Sequence, residues 1–358
     1  MKKLLCALLS LALLLSLFSG CAAPASPETP SESPWLPFFR GALWIEEREG
    51  PYGEEKPGGG TLIPLRFSRE RLSDYETLPR IPYARCSAGI RLDFTTSSSE
   101  IRFRYSIVEA FYDDVLTEQM EAYVDGVQTE QFPINSFGAK RGEVRLSLPD
   151  GSHRVTVYLP NWHGLALSDL SLGDDAAPVA PTGKSYLILS DSIGQGLFTP
   201  QTGKTYINGL MRSLDADYLN LSVGGDPFLA SNLDSDIPFA PDRIFISLGI
   251  NDYAFSRQDH GAAQIETIKG NAMRYLSTVR SLYPSAEILV MTPIIEVDPA
   301  LQTAVLEACS SAGVRVVRGT DYFSGSSSLL SDGVHPNSEG HEKLAEALLP
   351  LFRESSWS

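Results

Sequence analysis

Positive charge is scarce in this chain. Its 358 residues hold 29 Lys and Arg against 44 Asp and Glu, a formal net charge of −15. Such a surface repels phosphate, so nucleic acid is excluded as a partner, and electrostatic docking on anionic lipid is disfavoured. Cysteine is also sparse, with four in all. Cys6 and Cys21 fall at the extreme N-terminus, leaving Cys86 and Cys309 in different predicted domains. No disulfide framework is expected, and each of these two reads as a small buried hydrophobe. Histidine is rare, with five residues. Asp298, Asp321 and Glu339 lack metal-ligand spacing, and His335 and His341 stand six apart across Pro336 and suit no single helical face. No metal or other cofactor is expected. There is no internal repeat and no phosphate-cradling glycine loop.

One apolar run stands out, Leu4 to Phe18 behind Lys2-Lys3, too short for a comfortable mature span. Residues 1–20 read as a processing segment. Phe18-Ser19-Gly20-Cys21 resembles a bacterial lipobox, which implies cleavage before Cys21 and lipidation of its thiol. The alternative is an ordinary secretory peptide cleaved nearby. Residues 21–37, rich in Pro, Ser and Glu, read as a flexible tether. The expectation is an extracytoplasmic lipoprotein, held at the membrane by its lipid anchor.

Two domains are predicted beyond the tether. Residues 38–173 carry a β pattern: Ile101, Phe103 and Tyr105 alternate with Arg102 and Arg104, as one buried strand face would. Asp125-Gly126 and Asp150-Gly151 are hairpin-turn signals, because glycine accepts positive φ. Short strands at regular spacing predict an antiparallel sandwich or jelly roll. Residues 174–183 read as a linker. From residue 184 to 358 the rhythm is strand–helix–strand, with strands at Tyr186–Leu189, Tyr218–Leu221, Ile244–Leu248, Ile288–Met291 and Val314–Val317. That alternation predicts a flavodoxin-like α/β fold, a parallel sheet with helices on both faces.

The chemistry lies in this second part. Open α/β sheets bind ligands beyond the carboxyl ends of their strands. Ser192, Gly224 and Asn251 each come three residues after one of the first three strands, so they share that edge. Asp332-Gly333-Val334-His335 follows the fifth strand and precedes the last helix. Ser192 is the candidate nucleophile and His335 its base. Asp332 folds back to hold the imidazole tautomer, helped by the small Gly333. The N–H groups of Ser192 and Gly224 and the amide of Asn251 are the candidate oxyanion donors. Trp162, on the β-rich part, and Asp252 are candidate substrate-binding residues.

Ser190-Asp191-Ser192, Gly224, Gly249-Ile250-Asn251-Asp252 and Asp332-x-x-His335 together resemble the four blocks of the SGNH (GDSL-type) hydrolases, over Ser185 to Phe352. The family usually has Gly where this chain has Ser190. The β-rich part is similar to jelly-roll modules found ahead of some SGNH carbohydrate esterases. The resemblance implies a serine esterase that works through an acyl-enzyme without a cofactor. Its expected substrate is an acylated, most often acetylated, carbohydrate. A lipase or lysophospholipase and a non-catalytic glycan-binding lipoprotein are the competing readings.

Overall fold

The computed structural model describes residues 33–49, 60–76, 81–110, 118–134, 140–235, 237–255 and 261–357. The leader and Cys21 lie outside them.

The N-terminal half is built from β1 (Phe39–Arg40), β2 (Trp44–Glu49), β3 (Gly60–Leu65), helices α1 (Arg69–Glu76) and α2 (Ile81–Arg85), β4 (Arg91–Thr96), β5 (Glu100–Ala110), β6 (Glu118–Val124), β7 (Val127–Ile134), β8 (Arg141–Ser147), β9 (His153–Tyr158), β10 (His163–Ser171) and β11 (Ala177–Pro178). One antiparallel sheet runs β1-β4-β9-β6-β7, with β11 also on β4, and a second runs β2-β3-β10-β5-β8. The two face each other. Leu92, Phe94, Val155 and Val157 from the first share a core with Ile101, Phe103, Val144 and Leu165 from the second. The predicted alternation holds, since Ile101, Phe103 and Tyr105 are buried while Arg102 and Arg104 are exposed. Asp125-Gly126 closes the β6–β7 hairpin with φ of 52° and 82°. Asp150-Gly151 does not close a hairpin. It carries the chain from β8 in one sheet to β9 in the other, because a sandwich needs crossings as well as hairpins.

The C-terminal half begins with β12 (Ser185–Ser190), α3 (Ser192–Gln195), α4 (Tyr206–Ser213) and β13 (Asp217–Asn220). It continues through β14 (Arg243–Ser247), α5 (Ile250–Phe255), α6 (Ala262–Leu282), β15 (Glu287–Met291), α7 (Pro299–Ser311), β16 (Arg315–Val317) and α8 (Ser338–Phe352). The five strands are parallel in the order β13-β12-β14-β15-β16, a doubly wound arrangement. Side chains alternate across it. Tyr186, Ile188, Phe245, Leu289 and Met291 pack toward α4 and α8. Leu187, Leu189, Ile244, Ile246 and Val290 pack toward α6 and α7. Cys86 and Cys309 are buried and form no disulfide, as expected of small hydrophobes.

The two halves share a core. Ile63, Leu65, Phe67, Tyr75 and Ala166 from the sandwich side join Leu219, Leu221 and Val223. Arg66 crosses the same seam, fully buried, and donates to the carbonyls of Tyr83 (2.7 Å), Cys86 (2.9 Å), Asn220 (2.7 Å) and Ser222 (2.8 Å). Burial lowers its pKa to about 10. Asp234 accepts both the N–H and the hydroxyl of Ser68 at 2.7 Å. Residues 33–358 accordingly form one compact unit, and Ala177–Pro178 of the connecting stretch pairs with β4.

Candidate active site

Ser192 opens α3 directly beyond the carboxyl end of β12. Asp191 caps this short helix, accepting the Ile193 N–H at 2.9 Å. Burial raises the Asp191 carboxyl to about 7, the Ile193 bond opposing it and the charges of Asp226 and Asp252 reinforcing it. Ser190 replaces the usual glycine without crowding the turn. Its hydroxyl donates to the Ser247 carbonyl at 2.8 Å, and its side chain occupies space that a Cβ on Gly194 would need.

The Ser192 hydroxyl lies 2.9 Å from Nε2 of His335, and Nδ1 of the same ring lies 2.8 Å from Oδ2 of Asp332. The other oxygen of Asp332 accepts the N–H groups of Val334 (3.0 Å) and His335 (2.8 Å). Gly333, at φ 87°, permits this fold-back. Partial burial of Asp332 favours its neutral form, but the donors from His335 and Val334 outweigh it and hold the carboxyl below its ordinary value. A low carboxylate pKa keeps the orienting charge in place at neutral pH. His341 has a different role. It is fully buried, stacks on Tyr206, and its Nδ1 accepts the Tyr206 N–H at 3.2 Å. Burial, with the charge of His335, lowers its pKa to about 3, so it stays neutral.

The loop after β13 makes a tight turn, in which the Asp226 N–H returns to the Val223 carbonyl at 3.0 Å and Gly225 takes φ 83°. Asn251, in the first turn of α5, uses one amide hydrogen to hold the Asp226 carbonyl at 3.1 Å. Its second amide hydrogen, the Gly225 N–H and the leading N–H of α3 at Ser192 make no hydrogen bond among the described residues. A hydroxyl against an oriented imidazole, with such donors on the same sheet edge, is what acyl transfer requires.

Residues 191–343 match the GDSL-like lipase/acylhydrolase family. This segment is a GDSL-like acylhydrolase domain. It identifies the chain as an ester hydrolase. Among functionally curated proteins, no sequence matches. Three solved structures share the fold of the acylhydrolase domain together with its sandwich. One is the salicylyl-acyltransferase SsfX3 from a tetracycline biosynthetic pathway, at 20% identity and TM-score 0.72, covering 90% of this chain and 94% of that one. Another is a family two carbohydrate esterase from Clostridium thermocellum, solved in complex with cellohexaose, at 17% identity, TM-score 0.59 and coverage of 86% and 98%. The third is the acetyl xylan esterase Est2A from Butyrivibrio proteoclasticus, at 15%, 0.55, 74% and 89%.

Three sequence-based expectations need correction around the site. The Gly224 N–H does not face the site, because it donates to Oε1 of Gln195 at 2.9 Å. Glycine at 224 instead makes room for a ring: a Cβ there would stand 3.2 Å from Trp162. The unengaged donor belongs to the next residue, Gly225. Trp162 is no exposed platform; it is 1% exposed and packs edge-on against Tyr83. Asp252 turns inward as well. It accepts the Phe228 N–H at 3.1 Å, and burial raises its carboxyl to about 6, so it braces the glycine loop from beneath.

Sequence reasoning also passed over Gln195 and Phe198. Gln195 had no signal outside the tertiary structure. Gly225 had one, because a Gly-Gly pair ahead of Asp-Pro marks a turn whose second glycine carries positive φ.

Proposed function

We propose that this protein is an extracytoplasmic serine esterase that removes acyl groups, chiefly acetyl, from carbohydrate. The observation that carries the reaction is the continuous chain from Ser192 through His335 to Asp332. His335 takes the Ser192 proton as the hydroxyl oxygen attacks the ester carbonyl. The Gly225 N–H, the Ser192 N–H and the free amide hydrogen of Asn251 receive the oxyanion. His335 then passes its proton to the departing alcohol, leaving an acyl-serine, and a water activated by the same imidazole releases the acid.

Carbohydrate as substrate is supported by the two-part architecture. The Clostridium thermocellum esterase, solved with cellohexaose, spans both halves of this chain. Secretion and lipid anchoring rest on the N-terminal sequence, with Cys21 as the lipidated residue. Acetate release from acetylated xylan, mannan, pectin and peptidoglycan tests the substrate. Ser192→Ala tests the nucleophile, with kcat expected to fall by several orders of magnitude in a folded protein.

The likeness to a salicylyl-acyltransferase supports a second reading, in which an alcohol other than water takes the acyl group. Adding a range of acceptor alcohols to the assay separates the two: transfer yields a new ester, whereas hydrolysis yields only free acid.

A further inference from the structure

We propose that Phe198 is the binding surface for the alcohol half of the ester, selecting alcohols that present the flat CH-bearing face of a ring. This rests on the acyl-transfer reading of Ser192 and His335. The first observation is the backbone. The Thr199 N–H returns to the Gly196 carbonyl at 3.2 Å, closing a four-residue turn whose third residue is Phe198 at φ 62°. That position ordinarily goes to Gly or Asn, and a bulky aromatic there is a steric outlier. Packing accounts for only part of the choice. Leu197 supplies the inward anchor of the turn, buried with Trp162, while Phe198 packs against that pair and stays partly exposed. Strain kept at a ring that is not fully buried points to function.

The second observation is the neighbour. The Phe198 ring stands with its centroid 5.4 Å from that of His335, inclined at 66°. His335 must return its proton to the leaving oxygen, so the alcohol carbons bonded to that oxygen lie beside this imidazole. Phe198 places an aromatic ring against that imidazole. Tyr83, partly exposed and T-shaped on Trp162, extends the apolar rim from the sandwich half. Aromatic faces favour apolar CH surfaces such as one face of a pyranose or cyclohexane ring.

Two ester series test this. The first keeps acetyl and varies the alcohol: ethyl acetate, cyclohexyl acetate and acetylated xylobiose. The second keeps 4-nitrophenol and lengthens the acyl chain from acetyl to hexanoyl. Phe198→Gly is expected to lower kcat/KM for the two ring alcohols at least tenfold more than for ethyl acetate, mainly through KM. The order of preference along the acyl series should stay as in the wild type, and Phe198→Trp should retain the ring preference. Phe198→Gly should also melt above Phe198→Ala, since both lose the ring but only glycine tolerates the left-handed backbone. An equal loss on every alcohol would reduce Phe198 to a support for His335 and overturn the proposal. A change along the acyl series, or Ala melting above Gly, would overturn it too. A wild type that cleaves cyclohexyl acetate but no acetylated glycan would remove the carbohydrate reading and leave the alcohol surface standing. A wild type inert on every ester would overturn both.

Discussion

Gln195 accepts the N–H of Gly224 at 2.9 Å through its side-chain carbonyl. Its amide nitrogen donates to the carbonyls of Asn161 at 3.1 Å and Tyr83 at 3.3 Å. Gln195 is fully buried and lies three residues after Ser192. One side chain therefore ties the helix of the nucleophile to the glycine turn and to two backbone positions of the sandwich half. Glu118 secures the far end, accepting the N–H groups of Asn161 (2.8 Å) and Trp162 (2.9 Å) and lying 2.7 Å from Nδ1 of His163.

Replacing Gln195 by Met keeps the volume and removes the amide. The Gly224 N–H and the Asn161 carbonyl lose their partner, while the Tyr83 carbonyl keeps the Arg66 guanidinium, and each buried group left unsatisfied costs about 1–3 kcal/mol of stability. Once the turn is loosened, kcat is expected to fall roughly 10- to 100-fold with little change in KM, less than the loss of a whole oxyanion donor. Steady-state kinetics on 4-nitrophenyl acetate, with thermal unfolding alongside, separate the two effects. A rise in KM at constant kcat would detach Gln195 from the transition state.

Asn251→Ala removes both the anchor on the Asp226 carbonyl and the free donor. It is expected to lower kcat by about 10²–10³ with a smaller change in KM. Slower inactivation by a phosphonate ester, in proportion to the kcat loss, would support a transition-state role. An unchanged inactivation rate would count against it.

Asp191 gives a pH dependence whose sign follows from its surroundings. Its folded pKa, about 7, lies above the ordinary carboxylate value, so between about pH 4 and 7 the native state binds more protons than the unfolded one. Stability from this group is full at low pH and declines as pH rises through 7. Asp191→Asn can still cap Ile193 and carries no charge to bury. It should therefore gain on the order of 1–3 kcal/mol over the wild type at pH 8 and almost nothing at pH 4. Urea unfolding at both values measures the difference.

A truncation beginning at Ala180 should not behave as a free acylhydrolase domain. It would expose Leu219, Leu221 and Val223 where Ile63, Leu65 and Phe67 now cover them, and it would lose Arg66, which holds the carbonyls of Asn220 and Ser222. Aggregation, or a molten state with little activity even on small esters, is the expected outcome. A monomeric, cooperatively folding and active fragment would contradict this seam.

The sequence by itself determined the parallel sheet, the sandwich and the Ser192–His335–Asp332 chain. Those features are written in local patterns: period-two alternation at Ile101 to Tyr105, strands punctuated by turns, and a carboxylate three residues from its imidazole. Tertiary structure decided the rest. Gly224 and Gly225 are adjacent, and which N–H faces the site depends on Gln195 arriving from another segment. Trp162 became a packing group because Leu197 and Phe198 of the other half close over it, and Asp252 a bracing group because it turns to the Phe228 N–H. The Asp150-Gly151 signal reads the same for a hairpin and a sheet crossing, since a turn specifies backbone angles and not the partner strand. Long-range contacts such as Arg66 to Asn220 leave no periodic trace in sequence, because each joins residues that are neighbours only after folding.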